Sequence, residues 1–232
     1  MPRSASQNMK TAVIAPIGTS PPVITAGIDS LDERVTDLVL LATQDEQVLA
    51  GCEIVKLGLG SRYPQIRVHI ELLPFDDISS DDENLRFMAI AARVIKKERE
   101  EFGCKRILLN VAGGRKNMCI TLALLGQLLN VDGVYHIVNH EVKLFNQHLE
   151  HLRPTMMRLF RAEDEQQRLD LYNENREKFD HVLFPSRNKY DLIRIPTLPY
   201  PVSYISSLLS RVVFDPYTLN GEDCSLLLHH GI

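Results

Sequence analysis

The sequence predicts an α/β fold: a doubly wound, mostly parallel Rossmann-like sheet with a helical insertion before its last strands. Three observations carry that expectation. Short apolar runs alternate with helix-length segments from Thr11 to about His140, joined by short links. Most of the runs are apolar without alternation, as in strands buried on both faces. Two of them end directly in small-residue turns that open into helices, Gly18-Thr19-Ser20 and Gly113-Gly114-Arg115-Lys116.

In chain order, Thr11–Ile17 is a short apolar strand running into Gly18-Thr19-Ser20-Pro21-Pro22, and residues 23–27 begin a helix. Residues 35–42 form a second buried strand, followed by a helix over about residues 45–57. Residues 65–73 alternate with period two, which suits an exposed strand near a sheet edge. Ser80 and Glu83 make a capping-box signature before Leu85, Met88, Ala92 and Ile95, apolar at helical spacing, and Gly103 ends that helix. Residues 107–111 are the fourth strand, 118–129 the fourth helix and 133–138 the fifth strand. From 141 to 181 the chain is charged and free of glycine, with Pro154 as a break; it reads as a helical insertion or two-helix lid. Residues 182–185 and 192–195 read as late strands with a turn over 186–190 between them, and 202–214 as a last amphipathic helix. The domain reading is a disordered leader over 1–9, one domain over 10–214 and a tail over 215–232.

Bulk properties narrow the function classes. A chain of 232 residues, 44% hydrophobic and 24% charged, can bury a full core. Its net charge of −4 disfavours long nucleic acid as a partner but leaves room for a small anion in a local basic pocket. Cys52, Cys104, Cys119 and Cys224 form no C-x-x-C pair, which suits reduced thiols in a cytoplasmic protein. No apolar run reaches membrane length.

The stretch Asn110–Met118 is the chemical focus. A strand, a Gly-Gly turn and a helix start bring free backbone N–H groups, the helix dipole and the cations Arg115 and Lys116 onto one anion, phosphate above all. Cations at a helix N-terminus are disfavoured by the dipole, so a bound anion is the natural compensation. In a 3-2-1-4-5 strand order the turn at Gly18-Thr19-Ser20 would share its cleft, at the topological switch point. The plain alternative is that the glycines only make tight turns and Ser20 only caps its helix.

Other patterns are weaker. Gly58-Leu59-Gly60 follows a helix and precedes a strand, the wrong order for a dinucleotide fingerprint. Gly113–Lys116 lacks the long loop of a Walker A motif, so no nucleotide–magnesium cofactor is expected. His148 and His151 match no zincin pattern and read as a solvated face, so no metal is expected. Arg176 with His181, or Arg62 with His69, has the spacing of a bare Arg–His ribonuclease motif. The fourth helix is apolar nearly all round, so either the insertion or a second subunit must cover its outer face. A two-fold dimer is the favoured expectation, merging two clefts into one symmetric anion pocket.

Taken together, Gly18-Thr19-Ser20-Pro21-Pro22 and Gly113-Gly114-Arg115-Lys116-Asn117-Met118 resemble the CRISPR-associated Rossmann fold family over about residues 11–140. The resemblance implies a homodimer that binds cyclic oligoadenylate, the second messenger of type III CRISPR complexes, across its two-fold axis. Many members also carry a helical ribonuclease or winged helix, and this chain reads as having neither. It then looks like a stand-alone ring nuclease. Such an enzyme cuts cyclic tetra-adenylate without metal, by attack of a ribose 2′-hydroxyl on its own 3′-phosphate, to linear di-adenylate with a 2′,3′-cyclic phosphate. By that resemblance Gly18, Thr19, Ser20, Pro21, Gly113, Gly114, Arg115, Lys116, Asn117 and Met118 hold the ligand. Ser20 orients the 2′-hydroxyl or the scissile phosphate, and Lys116 with Arg115 stabilises the oxyanion. His140 is a candidate proton carrier, and Lys189 and Lys143 are candidates for a second lysine. The alternatives are a non-catalytic sensor and a ring-activated ribonuclease using Arg176 and His181.

Overall fold

The computed structural model describes residues 9–197. The leader over 1–8, the helix expected over 202–214, the tail over 215–232 and Cys224 lie outside the described residues. Six strands form one sheet in the order β3-β2-β1-β4-β5-β6. The strands are β1 (Thr11–Ile17), β2 (Asp37–Ala42), β3 (Arg67–Leu72), β4 (Arg106–Asn110), β5 (Gly133–Asn139) and β6 (Tyr190–Ile195). The first five are parallel, and β6 runs antiparallel to β5. The expected order therefore holds, with one antiparallel edge strand added.

Position in the sheet follows residue type. β1 and β2 lie inside the sheet with every residue buried, as unbroken apolar runs demand. β3, with its period-two alternation, is an edge strand of half-buried residues. On one face, α1 (Pro22–Ser30) and α2 (Glu46–Arg62) pack over Val13, Ala15, Leu38 and Leu40. On the other, α3 (Asp81–Glu100) and α4 (Lys116–Leu128) pack over Ala12, Ile14, Val39 and Leu109. Alternate residues of one strand thus feed two separate cores. The capping box at the start of α3 is complete: the Ser80 side chain accepts from the Glu83 amide, and Glu83 accepts from the Ser80 amide.

The segment after β5 departs from expectation in three respects. It holds three helices, α5 (Val142–Phe160), α6 (Glu165–Glu174) and α7 (Arg176–Leu183). Pro154 does not break α5. It sits on the exposed face, where the carbonyl of Glu150, deprived of its amide partner, can take water. Packing of Leu149, Leu152, Met156 and Leu159 into the α1/α2 core holds the helix together across it. Val182 and Leu183 end α7 instead of starting a strand; with Phe179 they form its buried stripe. Short apolar runs are ambiguous between the two periods, and here the helical one wins. These helices pack on α2 and α1, the face opposite α4. Gly58 permits that approach, since a Cβ there would lie 2.6 Å from Cδ1 of Leu183.

A buried ionic cluster ties the amino ends of β2 and β3 to α3. Arg67 Nε donates to Asp37 at 2.5 Å, and its Nη2 donates to both Glu98 oxygens at 2.6 Å. The guanidinium also lies 3.9 Å from the Phe102 ring centroid. Burial alone would raise the Asp37 pKa, but hydrogen bonds from Thr36 and Arg67 and the charge of Arg67 outweigh it and hold it below the usual value. Burial, with Asp37 and Glu98 beside it, pushes the Cys104 thiol up to about 12, so it remains a neutral donor.

Removing Arg67 would leave two carboxylates, 3% and 2% exposed, without their cation. Arg67→Met should cost about 3 kcal/mol in urea unfolding at pH 7, the low end for a broken buried pair because Arg67 is itself partly exposed. The lowered pKa of Asp37 gives stability that is complete above about pH 4 and is lost as pH falls through the folded value. The gap between wild type and variant should therefore narrow below about pH 4. Unchanged urea midpoints at pH 7 would contradict the account.

Candidate functional site

The carboxyl ends of β1 and β4 lie side by side because the two strands pair in parallel, from Thr11↔Arg106 to Ile14↔Leu109. Their turns touch through backbone. A Cβ on Gly18 would sit 3.2 Å from both Cα and N of Gly114, and one on Gly113 would sit 2.5 Å from the Pro16 carbonyl. Gly114 has φ +81, in the left-handed region. Asn110 holds the helix behind the first turn in place. Its buried amide donates to Val23 O at 3.0 Å while its Oδ1 accepts from the Ala112 amide at 3.0 Å. The two glycine turns expected to share a cleft at the switch point do meet there.

Around this contact lie two hollows that share Gly114. The first, about 250 Å³, is lined by Gly18, Thr19, Arg115 and Met118 together with Asp45, Asp76 and Asp77. Arg115 is committed there: Nε donates to Asp77 Oδ1 at 2.7 Å, and Nη2 contacts Asp77 Oδ2. That hydrogen bond holds the Asp77 carboxyl below its ordinary value and raises Arg115. The anion that compensates Arg115 at the helix start is thus supplied by the chain. Asp45 caps α2 by accepting from the Gln47 and Val48 amides.

The second hollow, about 420 Å³, is lined by Gly114, Lys116, Cys119, Ile120, His136 and Ile195 among others. Lys116 is the first residue of α4, exposed, with no ion pair among the described residues. It stands at the positive end of the dipole beside an open volume. An anion would be stabilised there by both. Cys119 donates to the Gly113 carbonyl at 2.9 Å, and burial pushes its thiol up. His136 lies with its Nδ1 3.2 Å from the Val111 carbonyl.

The remaining expected residues divide. Met118 is buried under the first hollow. Asn117 turns inward, its Oδ1 accepting from the Met118 amide at 3.0 Å and its Nδ2 donating to Ile78 O at 3.4 Å. Pro21 is buried and is itself the N-cap of α1, so Ser20 does not cap that helix. The Ser20 hydroxyl, half-buried beside the Gly18 turn, has no partner among the described residues. Thr19 is exposed, and its carbonyl accepts from Arg153 of α5 at 3.4 Å, the contact by which the insertion touches the turn. His140 pairs with Asp191 at 2.9 Å and Lys189 with Glu141 at 3.0 Å, so both are engaged elsewhere; Lys143 is exposed.

The weaker motifs stay outside both hollows. Gly58 and Gly60 lie inside α2. Arg176 donates to Ser61 Oγ at 2.5 Å and to Asp180 at 3.4 Å, while the His181 ring lies 5.5 Å from that of His148. Arg62 binds Asp29, and His69 contacts Glu71. Among the described residues, the one group with metal-ligand spacing is Asp37, Glu98 and Cys104, whose two carboxylates are already paired with Arg67 at the far edge of the sheet. Also among them, no helix is long and apolar enough to cross a membrane. Sequence reading missed Asp77, which lies in a loop after an edge strand, and His136. The signal for His136 was the alternation of β5, which puts it on the α4 face with Val134.

The outer face of α4 carries Ile120 and Leu124, 62% and 60% exposed and one turn apart. Of the two covers expected for this helix, the insertion is excluded within the described residues, because α5, α6 and α7 pack on the opposite face.

Residues 20–214 match the model of the CRISPR-associated protein NE0113 family. Residues 202–232 match the model described as CARF-associated HTH, which corrects the expectation of a last helix and a tail with no appended domain of that kind. No curated protein matches the chain. Among solved structures, Enterococcus italicus Csm6 bound to cyclic hexa-2′-fluoro-hexa-dAMP superposes with a TM-score of 0.50 at 15% identity. That match covers 88% of this chain and 46% of Csm6. Protein VC1899 from Vibrio cholerae follows at a TM-score of 0.45 and 8% identity, over 54% of this chain and 30% of that one. The chain thus spans less than half the length of either structure. Sheet order agrees with the expected Rossmann-like class, and the family model runs from Ser20, the last residue of the first glycine turn, through the whole of the second: the chain belongs to the CRISPR-associated protein NE0113 family.

Proposed function

We propose that the chain binds cyclic tetra-adenylate across a homodimer axis and opens the ring to linear di-adenylate, switching off type III CRISPR signalling. The observation that carries this reading is Lys116: an unpaired cation on the first turn of a helix, beside an open hollow, where two glycine turns meet. Family membership and the likeness of fold to a Csm6 structure holding a cyclic hexanucleotide support the ligand class. In this reading the phosphate takes the Lys116 hollow. The adenine takes the acidic one, where Asp76, unpaired among the described residues, accepts from its exocyclic amine. Arg115, tied to Asp77, shapes the turn and adds charge at longer range. The exposed Ile120 and Leu124 face a second copy, and a ring with two-fold symmetry matches a two-fold site.

Cleavage draws on positioning and charge stabilisation and needs no protein nucleophile. The 2′-hydroxyl attacks its own 3′-phosphate in line and the 5′-oxygen leaves. Lys116 and the amides around Gly114 stabilise the charge that grows on the non-bridging oxygens, and Ser20 orients the attacking hydroxyl.

A second reading, a sensor that binds the ring without cutting it, is favoured by the helix-turn-helix match over 202–232, which would supply an output element. Turnover separates the two. With enzyme in excess and EDTA present, the ring should be converted to linear di-adenylate; tight binding with an intact ring favours the sensor, and no binding contradicts both. Lys116→Ala should weaken binding and slow cleavage by about 100-fold, the usual cost of one oxyanion donor, whereas Ser20→Ala should slow cleavage at unchanged affinity. Full activity in both variants would move the site elsewhere. Ile120→Arg should shift the protein to monomer in analytical ultracentrifugation and abolish ring binding. A dimer that survives the substitution would contradict the assigned interface.

A further inference from the structure

The Lys116 hollow holds a titratable side chain that belongs to neither glycine turn. Along β5, Val134 enters the core under α3 and α4, Tyr135 packs against the α1/α2 core and Ile137 meets Ala26 of α1. His136 therefore shares the face of Val134, and it lines the hollow with Lys116. Its Nδ1 lies 3.2 Å from the Val111 carbonyl, which can only accept. Nδ1 consequently carries the proton, and the lone pair of the neutral ring is on Nε2. The other titratable groups lining this hollow are Lys116 and Cys119, both on α4. Cys119 spends its thiol proton on Gly113 O, and burial keeps it neutral. Lys116 supplies charge. The hollow thus contains one oriented imidazole beside one cation.

We propose that His136 is the proton carrier for ring opening, an inference that rests on the cleavage reading above. Nε2 takes the 2′-hydroxyl proton as the 2′-oxygen forms its bond to phosphorus. The bond from phosphorus to the 5′-oxygen breaks, and that oxygen takes a proton from water. The imidazolium returns its proton to the hydroxide so formed, which restores neutral His136. No atom is lost or gained overall, because the reaction is an internal transesterification.

His136→Asn tests this directly, since the Asn amide can still donate to the Val111 carbonyl but cannot titrate. The measurements are single-turnover cleavage of labelled cyclic tetra-adenylate from pH 5 to 9, with ring affinity measured in parallel. The wild-type rate should rise with pH through one inflection and then level off. The variant should bind within about threefold of wild type, cleave about 100-fold more slowly and lose that inflection. In His136→Gly, added imidazole should restore part of the rate. If the wild type cleaves and His136→Asn matches it in rate and pH profile, the assignment to His136 falls and the cleavage reading stands. If the wild type binds the ring and leaves it intact, both fall. Loss of ring binding in both variants would make His136 a structural residue and overturn the proposal.

Discussion

The contact between the backbones of Gly18 and Gly114 is the constraint on which the rest of the site depends. The tightest approach is at Gly113, where a Cβ would lie 2.5 Å from the Pro16 carbonyl; a Cβ on Gly18 would press on Gly114 at 3.2 Å, and Gly114 holds φ +81. The sheet places the turns, because β1 has β2 on one side and β4 on the other, with helices on opposite faces. The start of α4 is thereby held against the end of β1, and its first residue, Lys116, is set beside open space. A side chain at Gly113 would collide with the Pro16 carbonyl and force the turn that carries that cation to shift.

Electrostatics divides the cleft. One hollow gathers three carboxylates around one arginine, and the other gathers a lysine and a histidine with no carboxylate among its lining residues. A phosphate is repelled from the first and attracted to the second; a base bearing an amine has the reverse preference. The chain's negative net charge therefore does not argue against a polyanionic ring, because the sign that matters is local. The far edge of the sheet uses charge differently. Arg67, Asp37 and Glu98 satisfy one another there and fasten α3 to the edge strands.

Much of the architecture was legible in the sequence because local signals agreed with one another. Unbroken apolar runs marked β1 and β2, alternation marked β3 as an edge, and Ser80 with Glu83 marked the start of α3. The failures are informative. Pro154 was read as a break because propensity was weighed without packing, and four buried apolar side chains of α5 hold the helix across it. Residues 182–185 were too few for their periodicity to distinguish strand from helix. At the site, the glycine turns were visible because their chemistry is contiguous in sequence. Asp77 and His136 were not, since each reaches the site from another strand or loop, and only the assembled sheet brings them to α4. The anion expected beside Arg115 was a bound phosphate; the structure instead pairs Arg115 with Asp77.

The central claim is that two copies share one ring. Isothermal titration calorimetry of cyclic tetra-adenylate into the full chain, under EDTA and at a temperature where turnover is slow, tests it most directly. The account predicts saturation at one ring per two chains. Saturation at one ring per chain, or no heat of binding, would contradict it.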